Sequence, residues 1–178
     1  MEEVRNSLIG AWLLSPAWVG AFAACASALI ALWGFWWQNK SYKESLALDL
    51  AMKLDERFND EVFRTLRSDA AKALLSQNNL TNSEEVFDFF ETVGSFQERQ
   101  SLDDELIHDF FFHWINLYWN AGKTYIEYKR HSHTKMLWQK FEKLYGAVVE
   151  IEKRGDVSSK DLNPNPDQIK KWLEEEIE

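Results

Sequence analysis

The pattern of apolar and polar positions changes near residue 38. Residues 17–37 contain no charged side chain, whereas the sequence after Gln38 places apolar residues at helical spacing among many charges. A run of about 20 apolar residues at 1.5 Å per residue spans roughly 30 Å, the thickness of the hydrocarbon layer of a bilayer. Residues 17–37 are therefore predicted to form a transmembrane helix, with Ser15 and Pro16 as its start.

Tryptophans flank this predicted span. Amphipathic rings favour the headgroup level of a bilayer, so two groups of tryptophans one span apart indicate aromatic belts. The belt residues are Trp12 and Trp18 at one boundary and Trp33, Trp36 and Trp37 at the other. A cleaved signal peptide is disfavoured by the acidic head of the chain and by the Trp-rich end of the run. A buried helix of a soluble protein is the other alternative, and tryptophans at both ends disfavour it.

The charges beside the span predict its orientation. Lys40 and Lys43 follow it, whereas only Arg5, accompanied by two glutamates, precedes it. Positive residues near a span favour the cytoplasmic side. The expected topology is a single pass with the C-terminal domain in the cytoplasm.

Small residues recur along one face of the predicted span. Gly20, Ala24, Ala28 and Ala31 fall at helical spacing. Such a face lets helix backbones approach closely in lipid, so we expect a homo-oligomer. The alternative is that alanine is simply common in membrane helices.

The sequence after residue 38 predicts helices only. Apolar residues recur at i, i+3 and i+4, and no alternating strand pattern of any length occurs. The first predicted helices are a stalk that continues from the span through Phe58, a helix from Asp60 to Leu75, and a helix that a Thr81–Glu84 capping box opens and Gly94 ends. The later ones are a helix from Leu102 to Lys129 that a Ser101–Asp104 box opens, a helix from Thr134 to Glu152, and a last helix capped by Asn165 and Pro166.

The predicted fold class is all-α, with one N-terminal transmembrane helix continuing into a stalk and then a cytoplasmic helical bundle. The segment Leu102 to Lys129 is apolar nearly all round and is expected to be the central helix. The predicted boundaries are a tail over 1–16, the span over 17–37, the domain over 38–153, a linker over 154–165 and an amphipathic helix over 166–178.

Charge and cysteine content restrict the expected classes of partner and the possible disulfides. The formal net charge is −9, and nearly all of it follows the apolar run. An acidic domain repels phosphates, so nucleic acid is not an expected partner. The membrane and a cytoplasmic protein are the expected ones. The one cysteine, Cys25, excludes an intrachain disulfide.

Candidate chemistry is sparse. The sequence has no Gly-rich phosphate loop and no nucleophile elbow. His131 and His133 have the spacing of two zinc ligands but no cysteine partner in the domain, so no metal site is predicted. No catalytic residue and no cofactor are predicted either.

One basic face interrupts the acidic domain. It consists of Lys123, Lys129, Arg130, Lys135 and Lys140, with aromatic residues between them. Such a face fits anionic lipid headgroups, a nucleotide-like ligand or RNA. The alternative is a solvated face of a helical hairpin. An enzyme with an unrecognised helical site near this face and the histidines is a further alternative.

The domain resembles a bacterial family of unknown function whose members carry an N-terminal anchor. The residues that carry the resemblance are Leu54-Asp-Glu-Arg-Phe-Asn59, Arg64-x-x-Arg67-x-x-Ala70-Ala71, Val86-Phe-Asp-Phe-Phe-Glu91-x-x-Gly94, Leu102-Asp-Asp-Glu105 and Tyr118-Trp119. The resemblance covers roughly residues 40–145 and rests mainly on core aromatics. It implies a helical cytoplasmic domain at a bacterial inner membrane and no assigned activity.

These observations predict a membrane-anchored interaction or scaffold protein without enzymatic activity. The alternative from another class is an oligomerising, membrane-perturbing effector of an antiphage or toxin-like system. In that case the small-residue face of the anchor would assemble a leak. An anchor whose only polar side chain is Ser27 lacks a face to line a water-filled pore, which disfavours this alternative.

Overall fold

A computed structural model describes residues 16–154 and 164–177, with side chains described from residue 24 onward. Residues 1–15 of the predicted tail, Trp12 among them, and residues 155–163 of the predicted linker lie outside this part, as do the side chain of Trp18 and the surroundings of Gly20. The described helices are α1 (Pro16–Asn59), α2 (Glu61–Ser76), a 3-10 helix (Leu80–Ser83), α3 (Glu84–Glu98), α4 (Asp104–Ser132), α5 (Gln139–Arg154) and α6 (Pro166–Ile177). The described residues contain no strand, so the all-α prediction is confirmed for them.

The chain divides into two units, residues 1–45 and 46–178. The described part of the first unit lies entirely in α1, and every side chain described there is exposed. Among its large apolar side chains, Leu29, Ile30, Trp33 and Phe35 are 66–71% exposed. No helix in the described part of the chain is long and apolar enough to cross a membrane. The structure therefore does not support the predicted transmembrane helix.

The second unit has an aromatic core. Phe58, at the end of α1, is fully buried and lies 5.0–5.9 Å, between ring centroids, from rings of α2, α3 and α4. Aromatic pairs at such separations contribute about 0.5–1.5 kcal/mol beyond the area they bury. Helix α4 supplies the largest share of the buried residues, among them Ile115, Leu117 and Tyr118. The prediction that this segment is the central helix is confirmed.

Glycine permits two close approaches between helices. Gly94 lies inside α3, where an added Cβ would be 2.8 Å from the Lys140 carbonyl oxygen. At Gly122 of α4, an added Cβ would be 2.3 Å from the buried ring of Phe87. The prediction that Gly94 ends its helix is wrong, because this glycine serves close packing against Lys140 and α3 continues to Glu98.

The predicted capping boxes are also wrong. Ser83, not Thr81, precedes α3, and its hydroxyl donates to the Leu80 carbonyl over 2.6 Å instead of capping α3. Helix α4 is capped by Asp103, whose carboxylate accepts from the Leu106 amide over 2.7 Å. At α6 the prediction is confirmed, since Asn165 accepts from the Gln168 amide over 2.9 Å.

Helix α5 begins at Gln139, five residues after the predicted start. Trp138 has a left-handed backbone with a φ of 50°, which a helix interior excludes. Its buried indole donates to the Asp88 carboxylate of α3 over 2.7 Å. This long-range contact places the turn before α5, and local periodicity carries no information on it.

Candidate functional site: the Arg67 centre

A buried arginine lies on the core-facing stripe of α2. Arg67 shares this stripe with Phe63, Ala70 and Leu74, and only 6% of it is exposed. A charged side chain is seldom buried unless it is paired and hydrogen-bonded. The environment of Arg67 is therefore the natural place to look for a site.

The guanidinium of Arg67 joins three elements. Its Nε donates to Glu176 Oε1 of α6, and its Nη1 donates to the carbonyl oxygen of Phe58 over 3.1 Å. Its central carbon lies 4.2 Å from the ring centroid of Phe58 and 4.5 Å from that of Trp114 in α4. Its Nη1 also donates to Asn59 Oδ1 over 3.5 Å, so two aromatic faces and three acceptors fix the position of this cation.

Burial changes the acidity of the groups beside Arg67. Burial raises the pKa of the Glu176 carboxyl, and the attraction to Arg67 opposes this rise without cancelling it. Burial likewise raises the pKa of the Tyr118 phenol well above its ordinary value. The Tyr118 hydroxyl lies 3.3 Å from the Arg67 carbonyl oxygen and 3.4 Å from Glu176 Oε1. Hydrogen bonds thus connect Tyr118, Arg67 and Glu176. We call these three residues the Arg67 centre.

Two cavities border α6. The first has a volume of about 490 Å³ and is lined by Arg64, Arg67, Trp114 and the end of α6. The second has a volume of about 470 Å³ and lies between the end of α2, the middle of α4 and residues Pro166 to Leu173 of α6. The first is the more polar because charged side chains of α2 and α6 face each other across it. The Arg67 centre thus opens onto a cavity of ligand size.

The structure separates the residues of the predicted basic face. Lys129 pairs with Glu84 over 2.8 Å, Arg130 with Glu142 over 2.7 Å and Lys140 with Glu98 over 3.6 Å. Arg130 also donates to the Leu137 and Trp138 carbonyl oxygens. Three of the five cations thus connect helices within the unit, whereas Lys123 and Lys135 are exposed.

One of these pairs lies beside a buried tyrosine. Burial alone would raise the pKa of the Glu84 carboxyl, but hydrogen bonds from Lys129 and Tyr125 lower it overall. The Tyr125 hydroxyl donates to Glu84 over 2.5 Å. Glu84 opens α3 and Lys129 lies in the last turn of α4, so this contact holds the two helix ends together.

The four histidines do not converge. His108 contacts Glu152 over 2.6 Å, and His113 lies between the rings of Trp114 and Trp172. His131 and His133 contact the Glu127 carbonyl and Ser132, respectively. In the described part of the chain, no three His, Cys, Asp or Glu side chains are placed to hold a metal ion together.

The described residues of the predicted anchor are all exposed. They are Trp33, Trp36 and Trp37 of the second belt and Ala24, Ala28 and Ala31 of the small-residue face. The roles assigned to them from the sequence stay predictions.

The sequence contained a signal for Arg67 that spacing alone reveals. Phe63, Arg67, Ala70 and Leu74 follow the i, i+4, i+7, i+11 pattern of a buried stripe, so a charge at the second position is anomalous. Its partner Glu176 has no such signal, because it lies among three consecutive glutamates of the last helix. Only the tertiary structure distinguishes Glu176 from Glu174 and Glu175.

The family pattern of DUF4760, a domain of unknown function, matches residues 21–148. This match covers more than two thirds of the chain and includes Arg67, Trp114 and Tyr118, whereas α6 and Glu176 lie beyond it. No curated protein and no solved structure matches the chain. On the extent of this match, the chain belongs to the DUF4760 family.

Proposed function

We propose that this chain is a non-enzymatic interaction module that α1 holds at a membrane, with the second unit on the cytoplasmic side of a bacterial inner membrane. The observation that carries the proposal is the complete exposure of an apolar helical segment. Residues 24–37 of α1 contain no charge, and each of their side chains is exposed. Such a surface is far more apolar than water-facing helices normally are, so it calls for an apolar environment.

The sequence supports lipid as that environment. The charge-free run of residues 17–37 has the length of a bilayer span and tryptophans near both ends. The basic residues after it, Lys40 and Lys43, favour the cytoplasmic side for the second unit. Homo-oligomerisation through the small-residue face belongs to the same proposal.

The architecture of the second unit supports the interaction role. Several ionisable groups at its helix contacts form ion pairs that join helices, as Lys129 and Arg130 do. The remaining distinctive feature is a surface around α6 with two cavities. A cavity-bearing surface under a terminal helix is suited to binding another protein segment.

The test compares two pairs of charge insertions in one helix. Leu29→Arg with Leu32→Arg introduces charge into the apolar segment, at a cost of about 2.5–3.5 kcal/mol per arginine within a bilayer. Leu48→Arg with Met52→Arg makes the same chemical change at exposed positions beyond that segment. The measured quantity is the fraction of protein retained in membranes after an alkaline carbonate wash.

The wild type and the Leu48/Met52 variant are expected to stay with the membrane, and the Leu29/Leu32 variant is expected to be released. Equal retention of both variants would contradict lipid as the environment of α1. The interaction role has its own test, chemical cross-linking in intact membranes followed by purification. Recovery of this chain alone, as a monomer, would contradict that role.

A further inference from the structure

Helix α6 lies over a groove between α2 and α4. We call this surface the α6 groove and define it by Arg67 and Leu74 of α2 and Trp114, Tyr118 and Ala121 of α4. Helix α6 contributes Leu173, which is 3% exposed, and the half-buried Ile169 and Trp172 to the core beneath it. The groove therefore recognises a short amphipathic helix through an apolar stripe.

Two open cavities border α6 in this groove. The cavity of about 490 Å³ borders the end of α6, and the cavity of about 470 Å³ borders its first two turns. Between the two cavities, α6 packs on the unit through its apolar stripe of Ile169, Trp172, Leu173 and Ile177, and Glu176 pairs with Arg67 at its end.

Charge complementarity sets the position of α6 in the groove. Arg64 and Arg67 of α2 face the acidic end of α6, where Glu175 and Glu176 line the same cavity. Glu176 reaches the buried Arg67, whereas Glu174 is exposed and lies near Lys170 of its own helix. A helix that docks here therefore needs a carboxylate at the position of Glu176, three residues beyond its buried leucine.

The docking of α6 is suited to exchange. A helix of 12 residues is marginal by itself in water, so α6 depends on the groove for its stability. The ion pair that fixes its end has a desolvation cost that offsets much of its attraction. The chain between Arg154 and Pro166 has 11 residues, enough to span up to roughly 36 Å when extended.

We propose that the α6 groove is a helix-binding site that accepts α6 of a second copy of this chain in place of the chain's own α6. Every contact described above is restored in the exchanged arrangement, because each copy fills the groove that the other leaves open. Such reciprocal exchange gives a closed two-fold dimer. The proposal concerns only the second unit and does not depend on where α1 lies.

The test uses a fluorescently labelled peptide of residues 164–178 as the α6 of a second copy. The receptor is the detergent-solubilised full chain with Leu173→Asp, which weakens docking of its own α6, and binding is followed by fluorescence anisotropy. Saturable binding is expected, and the wild-type chain is expected to bind at least about tenfold more weakly because its own α6 competes. Circular dichroism checks the helix content of the receptor, and Leu173→Ala is the milder receptor if that content falls.

Two charge-reversed peptides provide the control. Glu176→Lys places a second cation beside Arg67, whereas Glu174→Lys makes the same change in charge and composition at an exposed position. The Glu176→Lys peptide is expected to bind at least about tenfold more weakly than the Glu174→Lys peptide. Absence of saturable binding to the Leu173 variants, or equal binding of the two reversed peptides, would overturn the proposal.

Discussion

At the scale of single residues, two helical glycines differ in their surroundings. Gly94 of α3 faces the backbone of Lys140, and an added Cβ would lie 2.8 Å from its carbonyl oxygen. Gly146 of α5 has no atom within 4 Å of the corresponding position. The same substitution therefore tests close packing at one position and helix propensity at the other.

Gly94→Ala is expected to lower the free energy of unfolding by about 1–3 kcal/mol, because backbone atoms of the neighbouring chain segment must move. Gly146→Ala is expected to raise it by about 0.5–1 kcal/mol, because alanine loses less conformational entropy in a helix than glycine. Urea unfolding followed by circular dichroism measures both. Stabilisation by both substitutions would show that α3 and α5 are not in close contact at Gly94.

The buried carboxyl of Glu176 gives a pH dependence with a definite sign. Its pKa is raised in the folded chain, so the folded state binds this proton more tightly than the unfolded state does. The contribution of this group to stability therefore grows as the pH falls from above the folded pKa towards the ordinary value of 4.5. It is lost again as the pH rises through the folded pKa.

Glu176→Gln removes this titration and keeps the shape of the side chain. The difference in free energy of unfolding, wild type minus Glu176→Gln, is expected to increase in favour of the wild type between pH 7 and pH 5. Taking the difference cancels the common titration of the other carboxyls, including Glu84, whose pKa is lowered. A difference that stays constant or reverses over this range would contradict a raised pKa at Glu176.

At the scale of helices, the start of α4 has two candidate caps, Asp103 in the structure and Ser101 from the sequence pattern. Asp103→Ala removes the carboxylate that accepts from the Leu106 amide and is expected to cost about 0.5–2 kcal/mol. Ser101→Ala, at the position that sequence pattern alone favours, is expected to change stability by less than about 0.5 kcal/mol. Thermal unfolding of both variants decides between the two caps, and a larger loss at Ser101 would contradict the structure.

Helix positions were largely predictable from the sequence, and helix ends were not. The stripe of α2 and the apolar core of α4 follow from periodicity because each is repeated over several turns. A cap is one side chain with several local alternatives, as at Thr81 and Ser101. The start of α5 depends on Trp138 reaching Asp88, a contact over 50 positions that no local pattern contains.

Of the candidate site, Arg67 was predictable from the sequence and its partner was not. An arginine within an apolar stripe marks Arg67 as unusual, but the identity of its partner depends on how α6 docks. The predicted basic face shows the converse problem. Several cations that are close along the chain predict a shared basic face. In the fold, however, Arg130 and Lys140 pair with different acidic side chains.

At the scale of the whole molecule, the second unit holds its core by itself. The buried apolar cluster begins at Ala51, beyond the boundary at residue 45. A chain lacking residues 1–45 is therefore expected to keep its helical fold and to unfold in one cooperative transition. Leu54→Ala in that shortened chain should cost about 2–5 kcal/mol, because the side chain is 6% exposed.

Thermal unfolding of the shortened chain and of its Leu54→Ala variant provides the measurement. A broad, non-cooperative transition, or no effect of Leu54→Ala, would show that the core needs the first unit.

The guanidinium of Arg67 makes the last turn of α1 and the far end of the chain thermodynamically linked. It donates both to the Phe58 carbonyl oxygen and to Glu176, so loss of one acceptor changes the strength of the hydrogen bond to the other. Such linkage is reciprocal. If docking of α6 stabilises the last turn of α1 by a given free energy, the ordered last turn of α1 stabilises the docking of α6 by the same amount. One side chain thereby couples the docking of α6 to the last turn of α1.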